Sequence, residues 1–363
     1  MKSAQRKTDQ ARDTSLVSKL VGMVPRAPAA DATAVQRHID SLTKPRGSLG
    51  QLESIALRLA LIYGDPPPPL DNAVIFVLAA DHGVAARGVS AYPPEVTAQM
   101  CKNYASGGAA ISVFARAVAA RVVVADFGVN ADLSAIPGIE HVKILRGTRD
   151  LSQSRALTIA EVRRAIVQGA ELFTRQLPTP DIVAIGEMGI GNTTAASAMT
   201  ALLTGADAAA VVGRGTGVDD ATLARKRSIV EEAVARVPRD AGALRVLGEV
   251  GGLEIAGLVG VILAAAAARR AIILDGFIST AAALASVRLC PAVGPFLVAS
   301  HRSREIGHAV QLDALGLHGF LDLGMRLGEA SGAALAIPTL RAAALMLRDM
   351  ATFESAGVSR GGH

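Results

Sequence analysis

Six short apolar runs, each ending in a polar or glycine-rich element, constrain this chain more than any other feature. Val74–Ala80 runs into Asp81-His-Gly83, Val122–Ala125 into Asp126-Phe-Gly128, and Ile182–Ile185 into Gly186-Glu187. Ala208–Val212 runs into Gly213-Arg-Gly-Thr-Gly217, Ala271–Leu274 into Asp275-Gly276, and Phe296–Ala299 into Ser300-His-Arg-Ser303. Helix-compatible stretches rich in Ala, Leu, Arg and Glu separate them. Strands that are apolar throughout, rather than at every second residue, belong to parallel sheets covered on both faces. Alternation with helices supplies the crossovers such sheets need. The pattern therefore predicts an α/β fold built on a doubly wound, Rossmann-like parallel sheet. Ligands of open α/β sheets bind outside the carboxyl ends of the strands. Here those ends carry most of the unusual polar residues, which argues for one active site along that edge.

The pattern changes before residue 71 and after residue 305. Ala34 to Ala60 reads helical, broken by Lys44-Pro-Arg-Gly-Ser48 and followed by the stiff linker Pro66–Pro69. Ile306 to Phe353 reads as successive helices with glycine breaks. The expected organisation is a polar, loose extension (1–30), an α/β domain (71–305), and a smaller helical domain built from both chain ends (31–70 and 306–363). Ser355 to His363 reads as a frayed tail. The run Ile255 to Ala268 is very apolar but short for a membrane span, and Glu254 and Arg269 bracket it; it reads as a buried core helix.

Half of the residues are apolar, only 3% are aromatic and Trp is absent, which favours tightly packed helices and strands over an aromatic binding surface. The net charge of +5 is scattered, with no array of basic and aromatic residues, so a nucleic-acid groove is not expected. A mildly basic enzyme for phosphorylated substrates fits better. The two cysteines, Cys101 and Cys290, form neither a disulfide framework nor a zinc-ligand spacing. Met1 to Asp13 has no apolar signal region, and a reducing, cytoplasmic setting is the expectation.

Glu187-Met-Gly-Ile-Gly-Asn-Thr-Thr194 follows a strand and opens a helix. Glycines that let the backbone close in, and free N–H groups on the first helical turn, make such a junction a cradle for phosphate. It is neither a P-loop nor the dinucleotide fingerprint. The alternative is a tight turn with Asn192 or Thr193 as N-cap. Gly213–Gly217 is a second glycine-rich turn, and Lys226 lies two helical turns beyond it, either returning to an anion or sitting on a solvated face. Asp219-Asp220 reads as a helix cap. Ser300-His-Arg-Ser303 supplies hydroxyls and basic groups suited to phosphate. His301 and His308 are seven apart, and no histidines take the i, i+4 spacing of a helical zinc site, so no metal is expected. Glu329, flanked by Leu, Ala and Gly, is either a desolvated base poised to accept a proton or the cap of a helix start.

Taken in order, these motifs resemble the nicotinate-nucleotide–dimethylbenzimidazole phosphoribosyltransferase family. The likeness rests on Lys44-Pro-Arg-Gly-Ser-Leu-Gly50, Asp81-His-Gly83, Gly88-Val-Ser90, Glu95-Val-Thr97 and Glu187–Thr194. It continues through Gly213–Asp220, Asp275-Gly-Phe277, Ser300–Ser303 and Arg326-Leu-Gly-Glu-Ala-Ser-Gly332, and so spans nearly the whole chain. The resemblance implies transfer of the phosphoribosyl group of nicotinate mononucleotide to 5,6-dimethylbenzimidazole by a homodimer. It implies no metal or redox cofactor, because the pyridinium leaving group is already cationic. It implies Glu329 as the base, with Glu187 near the ribose as an electrostatic stabiliser or secondary base. Gly189, Asn192, Gly215, Gly217, Lys226 and Ser303 would hold the nucleotide and its phosphate, and Ser90 and Gln99 would face the benzimidazole. Two positions depart from the family's pattern: Asp150 in Gly147-Thr-Arg-Asp150, and Ala330 where glycine is common.

Overall fold

The computed structural model describes residues 2–215 and 217–359, with side chains from Gln10 onward. Its centre is a sheet of six parallel strands: β1 (Ala73–Ala80), β2 (Ala120–Gly128), β3 (Ile139–His141), β4 (Ile182–Met188), β5 (Ala271–Leu274) and β6 (Leu297–Ala299). The spatial order is β3-β2-β1-β4-β5-β6. All of β1, β4, β5 and β6 is buried, as their unbroken apolar runs predict. β1 pairs with β2 on one side and β4 on the other, so the strand order reverses between β1 and β4. That reversal opens a crevice at the carboxyl edge, where a ligand fits between the diverging crossovers.

The helices are α1 (Lys2–Met23), α2 (Ala32–Ser41), α3 (Gln51–Tyr63), α4 (Val96–Ala105), α5 (Ala110–Ala117), α6 (Ile159–Thr174) and α7 (Asn192–Thr204). They continue with α8 (Ala208–Val211), α9 (Asp220–Ala235), α10 (Ala243–Val250), α11 (Leu253–Ala267), α12 (Phe277–Leu289), α13 (Ile306–Leu315) and α14 (Ser331–Asp349). α11 is the apolar run read as a core helix: it is buried from Leu253 to Ala266 and packs between α6 and the sheet. Among the described residues no helix is long and apolar enough to cross a membrane.

Two local expectations need correction, and one strand was not foreseen. Ala208–Val212 is not a strand: Ala208–Val211 forms the short helix α8, and β5 takes the place beside β4. Three successive alanines favour helix over sheet there, and only Val211 and Val212 are β-branched. The beginning of the chain is not loose. It forms α1, which buries Val17 in the core, as does Val24 just beyond it, and sets Asp13 3.7 Å from Arg164 of α6. The short edge strand β3 leaves no mark in the sequence, because three residues are too few to show a period. At the other end, residues 353–357 form a turn in which Ser355 is hydrogen-bonded to Thr352, and residues 355–359 are exposed; Arg360 to His363 of the expected tail lie outside the described residues.

The two chain ends meet. Leu42 and Thr352 form an antiparallel bridge, and α14 packs along α3 before reaching β4 and β5. α14 thereby carries the segment preceding it, which includes Glu329, to the carboxyl edge of the sheet.

Candidate active site

Glu187 is the penultimate residue of β4, and the turn Gly189-Ile-Gly191 leads into α7. The N-cap of α7 is Gly191 in a left-handed conformation (φ +95°), and no side chain caps the helix. The capping role considered for Asn192 and Thr193 is therefore not the one they play. Asn192 instead turns back, its side-chain amide donating to Glu187. Thr193 faces the cavity that opens at this helix end. The turn is braced from outside: the Ile190 N–H donates to Thr97 of α4 at 3.1 Å, and a side chain at Gly189 would strike the Ala80 carbonyl.

The second glycine-rich turn faces the first across this cavity of about 340 Å³. Gly215 lines it, and Gly217 lies just behind, beside the Arg326 guanidinium. Arg326 fixes that turn by donating to the Gly215 carbonyl at 3.1 Å. Lys226 is not on a solvated face. It is fully buried, donating to Thr193 Oγ1 at 2.9 Å and to the Gly213 carbonyl at 3.2 Å. Burial lowers its pKa to about 8, while the carboxylate of Glu305 pulls the other way. Ser303 lines the same end from the turn after β6. Asp219 caps α9 as expected, accepting from Thr222 N–H at 2.8 Å.

Gly328, Glu329 and Ala330 approach from the opposite side with three successive positive φ angles, +84°, +61° and +61°. Such a conformation is disfavoured for Glu and Ala and persists only where packing enforces it. The packing is explicit: a side chain at Gly186 of β4 would collide with the Ala330 backbone, and one at Gly328 would come within 2.9 Å of Glu187 Oε1. Glu329 does not cap α14, whose N-cap is Ala330 without a side-chain hydrogen bond. Asp275, at the end of β5, takes that duty by accepting the Gly332 and Ala333 N–H groups at 2.7 and 3.0 Å.

Glu187 and Glu329 thus line one cavity, each less than a tenth exposed. Burial raises the Glu329 pKa to about 7; the Tyr104 hydroxyl opposes the rise and the charge of Asp275 adds to it. Glu187 is pushed well above the usual carboxylate range, first by burial, then by Glu254, Asp275 and Glu329. Tyr92, Val96, Met100 and Leu327 make the wall beyond them apolar. The arrangement sets a helix terminus, glycine turns, a lysine and a serine, a donor set suited to an anion, beside an apolar slot with two carboxyl groups of raised proton affinity.

A family model described as phosphoribosyltransferase matches residues 24–358. The nicotinate-nucleotide–dimethylbenzimidazole phosphoribosyltransferase of Chloroflexus aggregans is 49% identical over 347 residues, covering 95% of this chain and 98% of that protein. The protein of the same name from Deinococcus radiodurans is 48% identical over 361 residues, covering 98% and 99%. A crystal structure of the one from Thermus thermophilus is similar with a TM-score of 0.87 at 47% identity, covering 91% of this chain and 98% of that one. The chain belongs to the nicotinate-nucleotide–dimethylbenzimidazole phosphoribosyltransferase family.

In this phosphoribosyltransferase the structure brings together Glu187, Gly189, Asn192, Gly215, Ser303 and Glu329 around the cavity, with Lys226 directly behind it. Ser90 and Gln99 are not part of the lining. Ser90 accepts the Tyr92 N–H at 3.2 Å, and Gln99 is exposed on α4. The face of α4 turned to the cavity is the i, i+4 pair Val96 and Met100. Sequence reasoning also missed Tyr104, Glu305 and the separate duties of Asp275 and Arg326. The latter two lay inside motifs already singled out. Tyr104 and Glu305 carried no signal, since a tyrosine on a helix and a glutamate beside a turn are ordinary until folding buries them.

Proposed function

We propose that the protein transfers the 5-phosphoribosyl group of nicotinate mononucleotide to 5,6-dimethylbenzimidazole with inversion, giving α-ribazole 5′-phosphate and nicotinate. The observation that carries this reading is a buried carboxyl of pKa about 7, Glu329, held between an apolar slot and an anion cradle. The phosphate occupies the cradle formed by Gly189, Gly215, Lys226 and Ser303, with Gly217 supporting the turn. The benzimidazole lies against Tyr92, Val96 and Met100, so Ser90 and Gln99 influence it only from outside that wall.

One benzimidazole nitrogen donates its lone pair to the anomeric carbon. The bond to nicotinate breaks with its electron pair returning to the pyridine nitrogen, which needs no proton. The second benzimidazole nitrogen gives its proton to Glu329. A positioned base contributes about a hundred- to ten-thousandfold in rate. In the free protein burial and the acidic neighbours favour the protonated form of Glu187. A cationic pyridinium or developing oxocarbenium charge favours the carboxylate, so Glu187 releases its proton to solvent as the substrate binds and then stabilises the reacting ribose. Asn192, hydrogen-bonded to Glu187, fixes its orientation. The protein works as a homodimer in the cytoplasm in this reading, which rests on family resemblance and cysteine usage.

The test is product formation from the two substrates by wild type and Glu329→Gln. A loss of about a hundredfold or more in kcat for the variant supports reaction and base together. Nearly unchanged activity rejects Glu329 as base, and no product from a folded wild type rejects the reaction.

A further inference from the structure

Glu305 is out of character in a phosphate cradle. It lines the cavity beside Gly215, Ser303 and Arg326, yet it carries a negative charge into a place built for one. It occupies the N-cap position of α13 without capping that helix through its side chain. Its own N–H is tied to Ser303 Oγ at 3.3 Å, which locks it to another member of the cradle. The residue is more than nine-tenths buried, and Oε2 has no hydrogen-bond partner. A side chain on Gly213 would overlap that oxygen, so the carboxylate is pressed against the second glycine-rich turn and has no room to retreat in that direction.

The groups facing Glu305 come from three other elements. Lys226 approaches from α9, Arg326 from the segment before α14, and the Gly215 N–H from the glycine turn. Other charged groups nearby are engaged elsewhere. Arg214 pairs with Asp220, and Arg304 lies along Gly324. His308 of α13 accepts the Ser303 N–H and meets Thr280, and His301 faces Asp275 at 4.0 Å. The charges of Lys226 and Arg326, each hydrogen-bonded to other groups of the cradle, and the Gly215 N–H are what Glu305 shares with an incoming phosphate.

We propose that Glu305 is a built-in counter-anion of the phosphate subsite, which takes the place of the nucleotide's phosphate among these donors and gives up its charge when that phosphate binds. The proposal rests on the phosphoribosyl reading above and deepens it. A carboxylate and a phosphate dianion cannot share a desolvated space fully charged, because each raises the proton affinity of the other. Glu305 is predisposed to be the one that yields, since burial already lifts its pKa above the ordinary range against the pull of Lys226 and Arg326. The free protein thereby keeps a negative charge near the buried Lys226 ammonium and the Arg326 guanidinium, and nucleotide binding becomes linked to uptake of a proton.

Sulfate is the appropriate probe, because it stays a dianion across the pH range and any proton linkage then belongs to the protein. Sulfate affinity is measured by titration calorimetry between pH 5 and 7.5 for wild type, Glu305→Gln and Glu305→Asp. Glu305→Gln is expected to bind about tenfold more tightly than wild type at pH 7.5, one pK unit of relieved repulsion, with the gap closing towards pH 5. Glu305→Asp keeps the charge and keeps the wild-type pH dependence. Equal affinity of wild type and Glu305→Gln at every pH, or a gap that persists at pH 5, overturns the proposal while leaving the phosphoribosyl reading intact. Failure of nicotinate mononucleotide to displace sulfate from either protein overturns that reading, and the proposal with it.

Discussion

Lys226 reaches from α9 to place its ammonium 2.9 Å from the Thr193 hydroxyl, joining the second glycine-rich turn to the first turn of α7. Its hydrogen bonds run to neutral oxygens and Glu305 offsets its charge only through space, so a phosphate dianion arriving in front of it adds compensation that the free protein lacks. Lys226→Met is therefore expected to raise the KM for nicotinate mononucleotide by about ten- to a hundredfold, the range of a lost charge-assisted contact, with a smaller effect on the KM for benzimidazole. Steady-state kinetics with each substrate varied in turn checks this. Equal changes in both KM values would mean that Lys226 holds the fold rather than the phosphate.

The pH dependence follows from two groups shifted in opposite directions. Glu329 must be unprotonated to act as base and is raised to about 7, so kcat/KM rises with pH through that value. Lys226 must be protonated to hold the anion and is lowered to about 8, so kcat/KM falls above that value. The expected profile is a narrow bell. The stability effect has its own sign. Glu329 starts from an ordinary glutamate value of 4.5, so between pH 4.5 and about 7 the folded chain keeps a proton that the unfolded chain has lost. Stability contributed by the neutral carboxyl is thus present at acid pH and declines across that window. Urea midpoints of wild type should fall relative to Glu329→Gln between pH 4.5 and 7; parallel curves would contradict the raised value.

Much of this was readable in the chain because burial leaves a period in sequence. β1, β4 and β5 are continuous apolar runs ending in Asp81, Glu187 and Asp275, and those ends do converge at the carboxyl edge. Ala208–Val212 misled because apolarity alone does not distinguish a short buried helix from a strand; its three alanines favour helix. Ser90 and Gln99 came from resemblance alone, and no sequence rule reports which face of α4 turns inward; the structure puts Val96 and Met100 there. Glu305 and Tyr104 were invisible for a related reason. Their chemistry arises from desolvation by segments distant in sequence, such as Gly213 against Glu305.

Gly186 tests whether the close approach of β4 and the Glu329 segment is functional. Any side chain there runs into the Ala330 backbone, which is already left-handed and has little freedom to give. Gly186→Ala should cost about 1–3 kcal/mol of stability, the usual range for overpacking. It should also lower kcat by about a hundredfold, because Glu329 is displaced from the acceptor by a distance that matters for proton transfer. Chemical denaturation and steady-state kinetics together check this. Normal kcat in a destabilised variant would show that the segment can be displaced without consequence.

Asp275 allows the position of Glu329 to be separated from its proton affinity. One carboxylate oxygen accepts the Gly332 and Ala333 N–H groups and so holds the first turn of α14 directly after Glu329. The charge of the same group helps raise the Glu329 pKa. Asp275→Asn keeps an acceptor oxygen and removes the charge, so it should shift the acid limb of kcat/KM below 7 with a small change in Tm. Asp275→Ala removes both. It should show the same shift of the acid limb, a stability loss of about 0.5–2 kcal/mol typical of a lost helix cap, and a fall in kcat that Asn does not share. An acid limb that stays near 7 in Asp275→Asn would mean that burial alone sets Glu329. Equal kcat in the two variants would mean that the cap does not position it.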